Sequence, residues 1–197
     1  MEVVRATALE DGGAQLARVF VDGFGQHLQY FSKDPLRLAA AFTHMFLTDC
    51  FFVAVEDDEV IAMAGISSGN EPAVQVRAAP LRRELGLLRG SIAAAMLDKM
   101  WRSEYPVPVG DDWGSVQFVA TAAGSRRRGG ARAVMEYVIE HSGYDTYILE
   151  VGDRNAAAVA LYESLGFTEH ARVPDPHAKH SGYDNLLYLR LDRANRG

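Results

Sequence analysis

A turn rich in glycine and arginine is the part of this sequence best suited to chemistry. It covers residues 124–130 and stands immediately before a helix, whose apolar face is indicated by Ala131, Val134, Met135, Val138 and Ile139. The first backbone N–H groups of a helix have no partner within it, and the helix dipole favours negative charge there. The turn is therefore a candidate phosphate site, and the side chains of Arg126, Arg127 and Arg128 would add charge-assisted hydrogen bonds.

Predicted strands stand on both sides of this turn and its helix. Residues 116–121 are apolar and β-prone, and residues 147–151 form a second strand that leads into a short helix ended by Gly166. This order favours a nucleotide-like ligand, although an ordinary βαβ unit with a solvated basic turn would show the same pattern. A P-loop is excluded because no Gly-Lys-Ser/Thr follows the glycines, and a dinucleotide fingerprint is excluded because G-x-G-x-x-G is absent.

Two motifs resemble those of the GCN5-related N-acetyltransferases (GNAT superfamily). The family signature for the acyl-CoA pyrophosphate is Q/R-x-x-G-x-G/A, which is filled here by Arg126, Gly129 and Ala131. A later signature has an Asn at the start of the next helix and a Tyr near its end, before a Gly-Phe pair; it is matched by Asn155, Tyr162, Gly166 and Phe167. The two signatures occur in the expected order with strands between them, which makes the resemblance specific.

The resemblance implies acetyl-CoA as the co-substrate. In the family, backbone amides of the turn wrap the pyrophosphate, which assigns that role here to Arg126, Arg127, Arg128, Gly129, Gly130, Ala131 and Arg132. The pantetheine pairs with the preceding strand, where a bulge turns a main-chain N–H toward the thioester oxygen; the corresponding residues are Val119, Ala120 and Thr121. The turn departs from the commoner family form at Ala123, Arg127 and Gly130, changes that loosen it but leave its N–H donors.

The same resemblance assigns the general acid to Tyr162. A phenol with a pKa of about 10 can protonate a thiolate with a pKa of about 8.5 only when it is positioned and partly desolvated. Asn155 can cap its helix or reach the pantetheine.

Many family members carry a catalytic Glu on the strand before the turn, where this chain has Gln117, which cannot act as a base. Glu150 is then the candidate base; a structural role for Glu150, a water chain or an acceptor amine of low pKa are the alternatives.

The remaining pattern predicts an α/β (α+β) fold of this family, with a central mixed, mostly antiparallel twisted sheet of about seven strands flanked by helices. The first helix is expected to end at Gly23-Phe24-Gly25, and the second to begin with Asp34 as its N-cap and Pro35 at its first position. Two hairpins are predicted, the first from strands 51–55 and 60–67 and the second from strands 168–173 and 185–191.

An insert over residues 72–112 separates the first hairpin from the signature strand, unlike the simplest members of the family. From Pro80 onward it predicts one long helix, with an apolar face made of Leu81, Leu85, Leu88, Ile92 and Met96. The insert either walls the acceptor side and selects the substrate, or packs on the sheet for stability alone.

Composition limits the remaining possibilities. The 197 residues predict one domain, over 1–197, and the formal charge of −6 argues against a nucleic-acid binder. Neither a signal peptide nor an apolar run of membrane-spanning length is evident, so we expect a cytoplasmic protein without a membrane partner.

His177 and His180 could bind a metal, but no third ligand is evident, so we expect a polar loop and no metal. A homodimer is compatible with the sequence, since dimers are common in the family.

These observations predict a reaction and one competing role. The expected reaction is acetyl transfer from acetyl-CoA to a primary amine by direct attack in a ternary complex. The single cysteine, Cys50, lies far from both signatures in the sequence, so a covalent enzyme intermediate is not expected. The competing role is a non-catalytic module that binds or senses acyl-CoA and needs no Tyr162. The sequence does not choose between a small amine and a protein Lys or N-terminus as acceptor.

Overall fold

The computed structural model describes residues 1–101 and 104–195. Its strands are β1 (Glu2–Arg5), β2 (Phe51–Glu56), β3 (Glu59–Ser68), β4 (Gly114–Thr121), β5 (Thr146–Gly152), β6 (Thr168–Pro174) and β7 (Asn185–Asp192). Its α-helices are α1 (Gly12–Leu28), α2 (Pro35–Phe42), α3 (Ala78–Leu85), α4 (Leu87–Trp101), α5 (Gly130–His141), α6 (Ala156–Ser164) and α7 (Ala178–Ser181). No helix in these two ranges is both long and apolar enough to cross a membrane.

The strands of the described ranges form one seven-stranded sheet in the order β1-β2-β3-β4-β5-β7-β6. Strands β4 and β5 run parallel, and the other neighbouring pairs are antiparallel. The predicted mixed, mostly antiparallel sheet and both predicted hairpins are thereby confirmed. Asp57 and Asp58 join β2 to β3 with φ angles of 52° and 62°, as a tight hairpin turn requires.

Helices cover both faces of the sheet and bury a separate core on each. The α1 face contains helices α1 to α4, with buried residues such as Leu16, Phe42, Leu81 and Leu97. The opposite face contains α5 and α6, packed on β5 through Tyr147, Leu149 and Val151. Because side chains alternate along a strand, Ile148 and Glu150 of β5 point toward the α1 face.

The prediction that α1 ends at Gly23-Phe24-Gly25 is wrong, since the helix continues to Leu28. Gly23 serves close packing instead of termination. A Cβ at Gly23 would lie 2.9 Å from the Cβ of Ala120, so the absent side chain lets α1 approach β4 closely. The prediction for α2 is confirmed, because the Asp34 side chain accepts from the N–H groups of Leu36 and Arg37 and Pro35 begins the helix.

The single long helix predicted in the insert is also wrong. Gly86, with φ of 85°, separates α3 from α4 and changes which face of the second helix points inward. Leu81 and Leu85 of α3 are buried as predicted, whereas α4 buries Gly90, Ala93 and Leu97. The predicted face of α4 points outward instead, with exposed fractions of 75% for Leu88, 41% for Ile92 and 47% for Met96. Residues 102 and 103 of the insert lie outside the described residues.

Candidate active site

The centre of the site is a fork between β4 and β5. The two strands pair only from Gly114 to Val116 of β4, opposite Tyr147 to Leu149 of β5. Beyond Val116, β4 remains paired with β3 as far as Thr121. The edge of β4 that contains Val119, Ala120 and Thr121 is therefore left without β5 as a partner. Backbone N–H and C=O groups along such an edge can pair with an extended ligand.

A β-bulge lies within this unpaired stretch. The register between β3 and β4 shifts between Met63 and Gly65, which pair with Ala120 and Gln117. Phe118, inside the bulge, has a φ of 54°, a left-handed conformation that is rare for a bulky residue. Such bulges redirect backbone groups and are frequent next to active sites. The bulge thus lies at Phe118 and Val119, whereas the family resemblance implied Val119, Ala120 and Thr121.

Aromatic packing holds the strained residue in place. The ring of Phe118 lies 5.5 Å from that of Trp101, 5.9 Å from Phe20, 6.3 Å from Phe51 and 6.4 Å from Phe24, measured between centroids. Each aromatic pair contributes about 0.5–1.5 kcal/mol beyond the area that it buries. Since left-handed strain is about 1–2 kcal/mol per residue, this packing is sufficient to keep Phe118 in that conformation. Trp101 belongs to the insert, so the insert supports the bulge directly.

The predicted phosphate turn has the backbone conformation of an anion site. Arg127 has a φ of 63° and Gly129 a φ of 85°, and α5 begins immediately afterwards at Gly130. Left-handed residues within a turn direct successive N–H groups to one side, which makes a concave anion-binding nest. No side chain caps the start of α5 among the described residues, so its first N–H groups, which include that of Ala131, remain available.

The arginine side chains of the turn mostly bind other parts of the protein. Arg126 donates to the backbone oxygen of Asp22 at 2.8 Å, and Arg128 forms an ion pair with Glu56. Arg132 donates to Ser164 Oγ at 2.5 Å and lies 3.3 Å from Glu136. Arg127 is exposed. The backbone N–H groups of the turn are therefore freer to contact an anion than the guanidinium groups of Arg126 and Arg128.

Tyr162 lies on the face of the sheet that carries α5 and α6. It is 6% exposed, and its ring meets that of Phe167 edge-on at 6.0 Å. It belongs to the same buried cluster as Val116 and Val151, which lie near the fork. Burial raises the pKa of Tyr162, which keeps the phenol protonated. Asn155 caps α6, because its Oδ1 accepts from the backbone N–H of Ala158 at 3.3 Å.

Glu150 lies on the opposite face of the sheet from Tyr162. Its carboxylate oxygen Oε2 accepts a hydrogen bond of 2.7 Å from Tyr188 Oη. The Glu150 side chain is exposed to solvent, but it also has many protein atoms around it. This combination is expected for a side chain that lines a cleft. Burial raises the pKa of Glu150, the Tyr188 hydrogen bond opposes that rise, and the nearby Asp175 carboxylate adds to it. A raised pKa makes the carboxylate a stronger base, and its solvent contact moderates the effect.

Gln117, at the strand position where the family resemblance implies a Glu, anchors the insert. Its amide nitrogen donates to Ser67 Oγ at 2.8 Å and to the backbone oxygen of Glu71 at 2.9 Å, while its Oε1 accepts from Ala73 N at 3.1 Å. Every polar atom of the amide therefore has a structural partner. Gln117 holds the start of the insert against β4.

Two tyrosines beside Glu150 were not identified from the sequence. In the sequence, Tyr188 lies among the apolar residues of a predicted strand. Tyr105 is recognisable only because Pro106, which follows it, breaks the helical pattern. In the structure their rings meet edge-on at 5.7 Å, and Tyr105 Oη lies 2.7 Å from Ser115 Oγ. No local sequence signal links these residues, because the contact depends on strand register.

No metal site is formed by the described residues: groups of three or more His, Cys, Asp or Glu side chains that could hold an ion are absent from them. His177 is exposed, and the side chain of His180 lies outside the description.

Comparisons with known proteins identify the family of this chain. A model of the acetyltransferase (GNAT) family matches residues 23–167. The ribosomal protein bS18-alanine N-acetyltransferase of Escherichia coli K12 is 48% identical over 69 residues, which cover 34% of this chain and 47% of that protein. Its counterpart from Salmonella typhimurium is 39% identical over the same length and covers the same shares. The match thus spans about half the length of these curated relatives.

A solved structure shares the fold over a longer span. The crystal structure of the ribosomal-protein-S18-alanine N-acetyltransferase from Escherichia coli superposes with a TM-score of 0.57 and 18% identity, covering 100% of this chain and 96% of that one. At this identity the likeness concerns the fold alone. The family match covers most of the chain and includes both signatures. The chain therefore belongs to the acetyltransferase (GNAT) family.

Proposed function

We propose that this protein transfers an acetyl group from acetyl-CoA to a primary amine, by direct attack within a ternary complex. The observation that carries the proposal is the fork between β4 and β5, which contains a bulged, unpaired edge. The uncapped N-terminus of α5 follows that edge along the chain. An extended pantetheine arm suits the edge, and a pyrophosphate suits the N–H groups of the turn.

Different residues of the site perform the separate steps of the reaction. Acetyl-CoA supplies an activated acetyl thioester when it is bound. The bulge around Phe118 directs a backbone N–H toward the carbonyl oxygen, and a preorganised donor of this kind is worth about 3–4 kcal/mol. Glu150 accepts the proton that the amine loses as its nitrogen bonds to the acetyl carbon. Tyr162 donates its proton to the sulfur as the carbon–sulfur bond breaks, which restores a neutral thiol.

The acceptor that we propose to test first is the α-amine of a protein N-terminus. The curated relatives are named for alanine of a ribosomal protein, whose acetylated group would be such an amine. An α-amine has a pKa of about 7.7–8.0, so roughly a tenth of it is neutral at pH 7, whereas a lysine with a pKa of about 10.4 is almost wholly charged. A single moderately basic carboxylate such as Glu150 is better matched to the α-amine.

The test is thiol release from acetyl-CoA with a panel of acceptors. The panel contains a peptide with a free N-terminal alanine, an N-acetylated peptide with one lysine, and a polyamine. We expect release to require the first peptide and to fall about 100-fold or more in Tyr162→Phe. Tyr137→Phe on α5 is the matched control, because its ring stacks on His141 at 4.0 Å, away from the fork.

Three other outcomes would change the conclusion. Thiol release with the polyamine alone would show that the acceptor is a small-molecule amine. Equal turnover by the wild type and Tyr162→Phe would require another acid. Binding of acetyl-CoA without release to any amine would favour a non-catalytic acyl-CoA-binding module.

A further inference from the structure

Glu150 is hydrogen-bonded to a buried tyrosine on the neighbouring strand. Glu150 of β5 and Tyr188 of β7 are direct partners in the antiparallel register. Tyr188 is 1% exposed, and its hydroxyl donates to Glu150 Oε2 at 2.7 Å. The other carboxylate oxygen, Oε1, makes no hydrogen bond to the described residues. One oxygen of Glu150 is thus fixed by the sheet, and the other is available to an acceptor.

We propose that Tyr188 is a positioning residue for the reaction, which holds the Glu150 carboxylate in place and keeps it ionised. This inference rests on the proposed role of Glu150 as the base. Tyr188 touches neither substrate in this scheme and acts through Glu150. A hydrogen bond from a hydroxyl to a carboxylate favours the charged form of the acid, which is the form that can accept a proton from the amine.

The insert keeps Tyr188 in position. The ring of Tyr105 meets that of Tyr188 edge-on, with an interplanar angle of 88°. Tyr105 is itself fixed at both ends, because its hydroxyl bonds to the fully buried Ser115 and its backbone N–H donates to Asn70 Oδ1 at 3.0 Å. Burial raises the pKa of Tyr105 to about 12, so its hydroxyl stays neutral. The insert therefore supports the base through two tyrosines.

The electrostatic environment gives the direction of the expected effect. The groups that act on Glu150 are Tyr188 from β7, Asp175 from the segment after β6, and Tyr105 from the segment after α4. Burial and the Asp175 carboxylate raise the pKa of Glu150, and the hydrogen bond from Tyr188 lowers it. Removal of the Tyr188 hydroxyl leaves only the two raising effects. The pKa of Glu150 should therefore increase in Tyr188→Phe.

The sign of the pH dependence follows from the role of the base. Glu150 works as a carboxylate, so kcat/KM falls as the pH drops through its pKa. In Tyr188→Phe this acid limb should move to higher pH by about one unit or more, since hydrogen bonds to charged groups are among the stronger ones. At high pH Glu150 is ionised in both proteins, so a lower plateau in Tyr188→Phe reports the loss of positioning alone.

The experiment compares the pH profiles of kcat/KM for three variants. Tyr188→Phe tests the inference, and Glu150→Gln tests the base. Tyr147→Phe is the control for stability, because it removes a buried hydroxyl from β5 that donates to the backbone oxygen of Ile139 at 2.9 Å, on the other face of the sheet. We expect Glu150→Gln to lose about 100-fold or more, Tyr188→Phe to shift the acid limb, and Tyr147→Phe to keep the limb of the wild type.

The outcomes separate the inference from the proposed function. If Glu150→Gln is inactive and the limb of Tyr188→Phe is unmoved, the positioning role is refuted while the base remains. If Glu150→Gln is as active as the wild type, the assignment of the base fails and the inference fails with it. A carbon-13 NMR titration of the glutamate carboxyl groups, with the Glu150 signal identified by its absence in Glu150→Gln, is independent of activity. An unchanged Glu150 titration in Tyr188→Phe would also overturn the inference.

Discussion

Replacement of Gly129 by alanine tests whether left-handed backbone shapes the phosphate turn. Gly129 has a φ of 85°, and a Cβ added there would meet no heavy atom within 4 Å. The substitution therefore introduces no clash within the protein, and its effect comes from backbone strain. That strain is about 1–2 kcal/mol for a residue with a Cβ. Gly124→Ala is the matched control, because its added Cβ is equally free of contacts and its φ is not positive.

The strain in Gly129→Ala must appear in one of two measurements. If the turn keeps its shape, the free energy of unfolding falls by about 1–2 kcal/mol, and the melting temperature falls by about 2–4 °C for each kcal/mol. If the turn relaxes, stability is recovered but the N–H donors move, and binding of CoA must restore the strained shape. Each 1.4 kcal/mol lost in this way weakens the Kd about tenfold.

The assay therefore combines chemical denaturation with calorimetric titration of CoA for both variants. The losses in unfolding and binding free energy should add up to at least about 1–2 kcal/mol for Gly129→Ala and to nearly zero for Gly124→Ala. A sum near zero for Gly129→Ala, or an equal sum for the two variants, would show that the left-handed conformation does not determine the binding turn.

Two further predictions concern the insert and the arginines. Leu81→Ala should lower the free energy of unfolding by about 2–5 kcal/mol, because Leu81 is fully buried, whereas Leu88→Ala on the exposed side of α4 should change it by less than about 0.5 kcal/mol. Equal effects in urea denaturation would contradict the observed orientation of α4. Arg128→Ala should change the Kd of CoA by less than about threefold, because the side chain pairs with Glu56 and the backbone provides the donors. A loss of tenfold or more in calorimetric titration would show that the guanidinium leaves Glu56 to bind the ligand.

Local signals explain which parts of the molecule could be predicted from the sequence. The phosphate turn, the cap at Asp34 and the two hairpins depend on residues that are close together in the chain, and each of them was predicted. The family resemblance implied a bulge on β4 at Val119, Ala120 and Thr121, and the structure has it at Phe118 and Val119. The strain at Phe118 is a property of the folded chain, because rings from α1, β2 and α4 support it.

The errors arose where distant contacts override local preference. Gly23 would commonly end a helix, but here it lies inside α1, where its missing side chain allows close packing on Ala120. In the insert, a regular apolar spacing predicted one helix, and the positive φ of Gly86 divided it in two. The contact between Tyr188 and Glu150 required the register of β5 and β7, which no local pattern specifies.

The positions of Glu150 and Tyr162 on opposite faces of the sheet affect the routes by which the two substrates would bind and the two products would leave. The sheet separates the side that carries the candidate base from the side that carries the candidate acid, and the fork is the opening that joins them. An acceptor that approaches Glu150 from the α1 side need not cross the path of a donor held along α5. Free CoA and the acetylated product would then have separate exits, and neither would have to wait for the other to leave.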